Sequence, residues 1–315
     1  MNAFPLFLQK YKKFFYILLL LLCLMPLVTP PISLLAGLIF ALSCGQTFPG
    51  FNKKMSKYLL QGSVVGLGFG MNLQQAYASG KDGMVFTIVS VVGTLLLGSL
   101  FAKKLSVDTK TGYLISTGTA ICGGSAIAAV GPVIKANDGQ MSVALGTIFI
   151  LNAIALFLFP VLGHLFGLSQ HQFGLWSAIA IHDTGSVVGA ASSYGKEALQ
   201  VATTVKLTRA LWIIPVAFVT SLLFKNKSEK MTIPWFIFLF ILAMILNSVF
   251  NLPANLTSSL VMLARKGLTL SLFFIGVSLT KTVFRSVGVR PMIQGVLIWI
   301  IISVVSLSYI YFIAK

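Results

Sequence analysis

Long apolar runs separated by short polar loops fill almost the whole chain. They lie at residues 14–29, 31–46, 58–78, 84–101, 111–134, 140–166, 173–192, 198–224, 232–251, 257–281 and 291–313. A helix needs roughly 20 apolar residues to cross a hydrocarbon core of ~30 Å, so the pattern predicts about eleven transmembrane helices. The fold class expected is an all-α polytopic membrane protein, with 1–315 as one integral membrane domain. The first run follows Lys10, Lys12 and Lys13 and resembles a signal peptide. It lacks a small-x-small cleavage site before Pro30–Pro31, so an uncleaved extra N-terminal helix is expected.

Composition agrees with that pattern. Hydrophobic residues make up 57% of the chain, charged residues 9%, and the mean hydropathy is +0.94. A net charge of +17 invites a nucleic-acid reading, but the cations sit in the loops between apolar runs, where they concern topology and not nucleic acid. With the N-terminus inside, fifteen cations fall in the cytoplasm: Lys10, Lys12, Lys13, Lys53, Lys54, Lys57, Lys103, Lys104, Lys110, Lys225, Lys227, Lys230, Lys281, Arg285 and Arg290. Lys81, Lys135, Lys196 and Lys315 fall outside, which favours a cytoplasmic N-terminus and an external C-terminus. Cys23, Cys44 and Cys122 are odd in number, lie in apolar or Gly-rich runs, and read as small buried side chains. There is no P-loop, HExxH, GxSxG or EF-hand spacing, so an enzyme, a metal centre and a cofactor are not expected.

Two internal echoes point in different directions. GFGMNLQQ at 68–75 is similar to FIGVSLTK at 274–281, in runs crossing in opposite senses, as an inverted repeat requires. GSAIAA at 124–129 echoes GSVVGA at 185–190, but in runs of the same sense. A five-plus-five arrangement, approximately 31–166 and 173–313, pairs the fifth run with the tenth.

Ionisable residues inside apolar runs are costly and mark functional or paired positions. His182, Asp183, Lys206 and Arg209 form one such group. If Ser192–Gly195 turns the chain between antiparallel helices, Asp183 and Lys206 lie at one depth, roughly 15–18 Å from the turn. Asp183 is either a proton or sodium coupling site, with His182 assisting, or a fixed counter-ion for Lys206 or Arg209. Two cations against one acid lean the site towards an anion, which a guanidinium can hold through two oxygens. STGTAICGGSAIAAVGP at 116–132 suits a broken helix near Cys122–Ser125, whose N–H groups would face an anion, or else close small-residue packing. Arg265, Lys266 and Gly267 mark either a second broken helix or cations snorkelling from a shorter one.

The stretches TGTAICGGSAIAAVGPVIKA, IHDTGSVVGAASSYG and ATTVKLTRALWIIP resemble the YeiH-type family of bacterial inner-membrane proteins, catalogued as sulfate exporters, across nearly the whole chain. That resemblance implies kinship with the bile acid, arsenite and riboflavin transporter superfamily. It also implies an inverted-repeat fold with two crossing broken helices and an elevator-like movement. The function implied is secondary transport, exporting sulfate, sulfite or a sulfonate with proton or sodium coupling. A passive anion channel, or a carrier of another organic anion, is the alternative. The substrate-binding residues implied are Thr119, Gly123, Gly124, Ser125, Lys206 and Arg209, with Asp183 and His182 coupling ions. Partners expected are the small anion, the coupling ion, the lipid bilayer and a second copy in a homodimer. This chain has GGSA at 123–126 and DTGS at 183–186 where relatives look like GASA and DTSS, which bears on Gly124 and Gly185.

Overall fold

The computed structural model describes residues 11–71, 73–224, 235–250 and 252–312, with the backbone alone over 75–86 and at 138, 237 and 284. Lys10, Lys225, Lys227, Lys230 and Lys315 lie outside the described residues, as do the side chains of Lys81 and Asp82. Among the described residues every regular element is a helix. In order these are α1 (Lys12–Leu22), α2 (Pro30–Cys44), α3 (Pro49–Gly68), α4 (Leu73–Lys104), α5 (Thr109–Ala120), α6 (Gly124–Val133), α7 (Asp138–Leu165) and α8 (Gln170–Ala180). They continue with α9 (Thr184–Tyr194), α10 (Lys196–Ala210), α11 (Ile213–Leu223), α12 (Trp235–Phe250), α13 (Ala254–Ser278), α14 (Lys281–Val287) and α15 (Val289–Phe312).

Five stretches are long and apolar enough to cross a membrane: Thr87–Lys104, Gly139–Leu165, Lys196–Leu223, Ala254–Ser278 and Val289–Phe312. The predicted loop near 79–83 does not exist, because α4 runs unbroken from Leu73 to Lys104. The dip in hydropathy there does not mark a reversal of the chain. Near Arg209 the run at 198–224 divides into α10 and α11, since Pro215 has no N–H to continue the ladder.

The helices form two compact units, one drawn from 1–75 and 235–282, the other from 76–234 and 283–315. Each takes segments from both halves of the chain. In the first unit α13 packs on α2 and α3. Gly37 and Gly276 meet there backbone to backbone: a Cβ on Gly37 would strike the Phe273 carbonyl, and one on Gly276 the Leu34 carbonyl. Gly276→Val should therefore cost more than the ~1–3 kcal/mol usual for overpacking, because main chain cannot yield as a side chain does. Gly62→Ala, with nothing within 4 Å of the added carbon, is the control and should be neutral or slightly stabilising. Melting curves of the two purified variants in detergent check the contrast.

The second unit is organised along α7, whose 28 residues extend ~42 Å. Capping boxes Asn137–Gln140 and Ser169–Gln172 start α7 and α8 and fix where each chain turn falls. Gln294 on α15 donates to the carbonyls of Gly98 and Gly112, tying α15 to α4 and α5.

Candidate functional site

The runs at 111–134 and 173–192, expected to cross once each, are helical hairpins. At the base of the first, Lys110 Nζ donates to the Lys135 carbonyl at 2.7 Å, and Gln140 Nε2 to Asp108 Oδ1 at 2.8 Å. Asp108 caps α5, and the Thr111 backbone N–H holds its carboxyl below the usual carboxylate range. Lys135 therefore returns to the side of Lys110, correcting its placement on the opposite face. At the base of the second hairpin, the Tyr194 hydroxyl donates to the Leu168 carbonyl at 2.6 Å, and Tyr194 stacks on Phe173 with centroids 3.8 Å apart. Straight broken helices would hold these ends tens of ångströms apart. The bases sit at opposite ends of α7, where Gln140 meets the first and Gly163 and His164 meet the second.

The tips, Ile121–Gly123 and Ile181–Asp183, meet beside the middle of α7. Gly123 has φ +67°, and a Cβ there would lie 3.4 Å from Asp183 Cα and 3.3 Å from Ile148. The left-handed φ disfavours any L side chain at 123, and this N-cap glycine has no side chain with which to cap α6. In contrast, α9 is capped by Asp183, whose Oδ2 accepts from the Ser186 N–H at 2.9 Å and its hydroxyl at 3.1 Å. Asn152 on α7 accepts from the N–H groups of His182 and Asp183 at 3.2 and 3.3 Å.

A helix ending inside the molecule exposes its last carbonyls, which need donors. Around α8 these donors are supplied one by one. Lys206 Nζ donates to Ala178 at 3.2 Å and Ile181 at 2.6 Å, Arg209 Nη1 to Ile179 at 2.9 Å, and Trp299 Nε1 to Ala180 at 3.0 Å. Arg209 Nε also donates to Ala120, the last residue of α5, at 2.6 Å, so this one side chain joins both tips. Lys206 and Arg209 are both fully buried. The hydrogen bonds of the two cations go to helix C-terminal carbonyls, where partial negative charge collects, and those of the aspartate cap α9.

Of the residues singled out from sequence, Thr119, Gly123, His182, Asp183, Lys206 and Arg209 come together at the tips. Ser125 is exposed and Gly124 half-buried at the start of α6. Several buried atoms there lack a partner: Thr119 Oγ1, Asn152 Nδ2, both ring nitrogens of His182, and Arg209 Nη2. Arg265, Lys266 and Gly267 belong to the first unit, inside α13, which is unbroken from Ala254 to Ser278 because its backbone ladder continues past Gly267. The second break falls at 181–183, in the seventh run, not the tenth. Asn152 and Trp299 were missed; Asn152 alone gave a signal, as an amide in the interior of an apolar run.

These features define a multi-pass, all-helical membrane protein with paired hairpins in its second unit. A family model described as Conserved hypothetical protein 698 matches residues 27–295. A UPF0324 membrane protein of Bacteroides thetaiotaomicron is 66% identical over 288 residues, covering 91% of this chain and 87% of that protein. The corresponding protein of Porphyromonas gingivalis is 60% identical over 288 residues, covering 90% and 87%. One from Vibrio parahaemolyticus is 47% identical over 312 residues, covering 96% and 98%. The chain belongs to this UPF0324 membrane protein family. No solved structure matches it.

Proposed function

We propose that the protein is a secondary carrier that exports a small sulfur-containing anion, sulfate, sulfite or a sulfonate, across the bacterial inner membrane. The observation that carries the reading is the meeting of two hairpin tips midway along α7, with an uncapped helix start beside a buried guanidinium. Non-helical backbone at membrane depth is tolerated where it lines a cavity or binds something. The free N–H groups of Gly124 and Ser125, the Ser125 hydroxyl and Arg209 Nη2 are the donors for the anion. Charge supports the same sign: the helix termini at the tips offset one another, leaving Lys206 and Arg209 against Asp183 alone.

An inverted repeat is part of this proposal. The hairpin α5–α6 pairs with α8–α9 and α7 with α10–α11, while α2, α3 and α4 pair with α12, α13 and α15. Because the hairpins insert from opposite ends of α7, the GSAIAA and GSVVGA segments run in opposite senses, and both echoes fit one circularly permuted repeat. The cytoplasmic N-terminus fits as well, since Lys135 joins Lys103, Lys104 and Lys110 on one side.

Counterflow of labelled sulfite, sulfate and sulfonates in proteoliposomes, with and without a pH gradient, tests the reading. Accumulation of one anion is expected; conductance without counterflow would make the protein a channel, and no exchange would remove the sulfur assignment. Coupling is assigned to Asp183. Asparagine caps helices as well as aspartate does, so Asp183→Asn should keep its fold. It should still exchange anion, with gradient-driven accumulation reduced about tenfold or more, one factor of ten being 1.4 kcal/mol of coupling. Undiminished accumulation in the variant would sink the coupling role.

A further inference from the structure

Arg265 is the charge that the tips do not explain. In the first unit, α13 lies antiparallel to α3, with Gly267 against Ser63, Gly66 against Ala264 and Gly70 against Val261. Arg265 is therefore level with residue 65 of α3. The exposed charges Lys53, Lys54 and Lys57 must sit in water, so Arg265 lies eight residues, ~12 Å, above the level of Lys57. Beyond it α13 continues for eleven residues, ~16 Å, to Ala254. That is close to the middle of a ~30 Å core, yet Arg265 is exposed.

The N-terminal half of α13 divides into three faces at 100° per residue. Val261 and Ala264 pack on α3. Leu256 and Leu263, 48% and 71% exposed, form an apolar face suited to lipid. Between these faces, Asn255, Ser258, Ser259, Met262 and Arg265 make an exposed arc about 120° wide. Ser258 and Ser259 donate to the Asn255 carbonyl and would tolerate lipid. A guanidinium at that depth would not, at a cost of at least ~2.5–3.5 kcal/mol. Lys266, one residue on, donates to the Met25 carbonyl and is already engaged.

We infer that this arc of α13 lines a water-filled route from the Ala254 end to mid-depth, with Arg265 at its floor drawing small anions inward. The inference rests on the anion-carrier reading only for what uses the route; water access and the sign of the local potential are independent of it.

Single cysteines at Ser259 and Met262 on the arc, and at Leu256 and Leu263 on the apolar face, test this in proteoliposomes. The native cysteines are buried, and the unsubstituted chain gives the background. Impermeant anionic and cationic methanethiosulfonates are applied to both sides. Met262→Cys and Ser259→Cys should react at least about tenfold faster than Leu256→Cys and Leu263→Cys, as ionised thiols form only in water. At Met262→Cys the anionic reagent should lose about tenfold against the cationic one when Arg265→Gln is added, as a unit charge ~6 Å away in water predicts. Equally slow reaction on both faces overturns the inference, as does an unchanged reagent ratio. Oxidative cross-linking of two copies through Ser259→Cys, without aqueous labelling, would also overturn it by making the arc an interface between copies.

Discussion

An Arg209→Met chain should lose about 2–5 kcal/mol of stability, because two buried carbonyls, Ala120 and Ile179, lose their donors at once. Those carbonyls end helices in different hairpins, so the consequence is specific as well as large. Hydrogen exchange should quicken at both tips, around 118–127 and around 179–187. Arg209→Lys should fall between, since an ammonium on a flexible stem cannot reproduce two fixed guanidinium bonds. Under the proposed function the same change also weakens anion affinity, because Nη2 is a donor for the ligand. Unchanged exchange at 118–127 would show that the bond to Ala120 does not hold the first tip.

Lys206→Met should cost a similar ~2–5 kcal/mol, for Ala178 and Ile181 are both left without their donor in a fully buried setting. Here the damage should stay in one hairpin. Exchange should rise at 179–187 and remain slow at 118–127, because Lys206 makes no bond to α5. If both tips opened equally, Lys206 would be acting through the shared contact at Gly123 and Asp183 rather than as a cap. Comparing the two variants with their double mutant isolates the coupling, since side chains one helical turn apart on α10 and bonded to one hairpin should not act additively.

Much of the tip site was legible as chemistry before its geometry was known. Four ionisable residues in apolar runs stood out because charge is costly there, and the Gly-Ser-Thr density at 116–132 foretold irregular backbone. Their bonding was not legible. Lys206 and Arg209 are held by main-chain carbonyls, which every residue carries, so no partner side chain appears in the sequence to announce the pair. Asp183 looked like the natural counter-ion because it was the acid in the neighbourhood; its place at the start of α9 gives it N–H donors. Arg265 and Lys266 drew the same suspicion of a broken helix, yet a ladder of main-chain bonds passes a Gly at modest cost, and α13 is continuous.

By itself the sequence determined the membrane class, the helical content, the approximate runs and the cluster at Thr119–Ser125 and His182–Arg209, because hydropathy and buried charge are local properties. Tertiary structure decided that two of those runs turn back on themselves. A pair of helices of about eleven residues has the same length and hydropathy as one transmembrane span, and the contacts that separate them, Lys110 with Lys135 and Tyr194 with Leu168, join residues 25 and 26 apart. That reversal places GSAIAA and GSVVGA, each opening a second half-helix, at tips that touch.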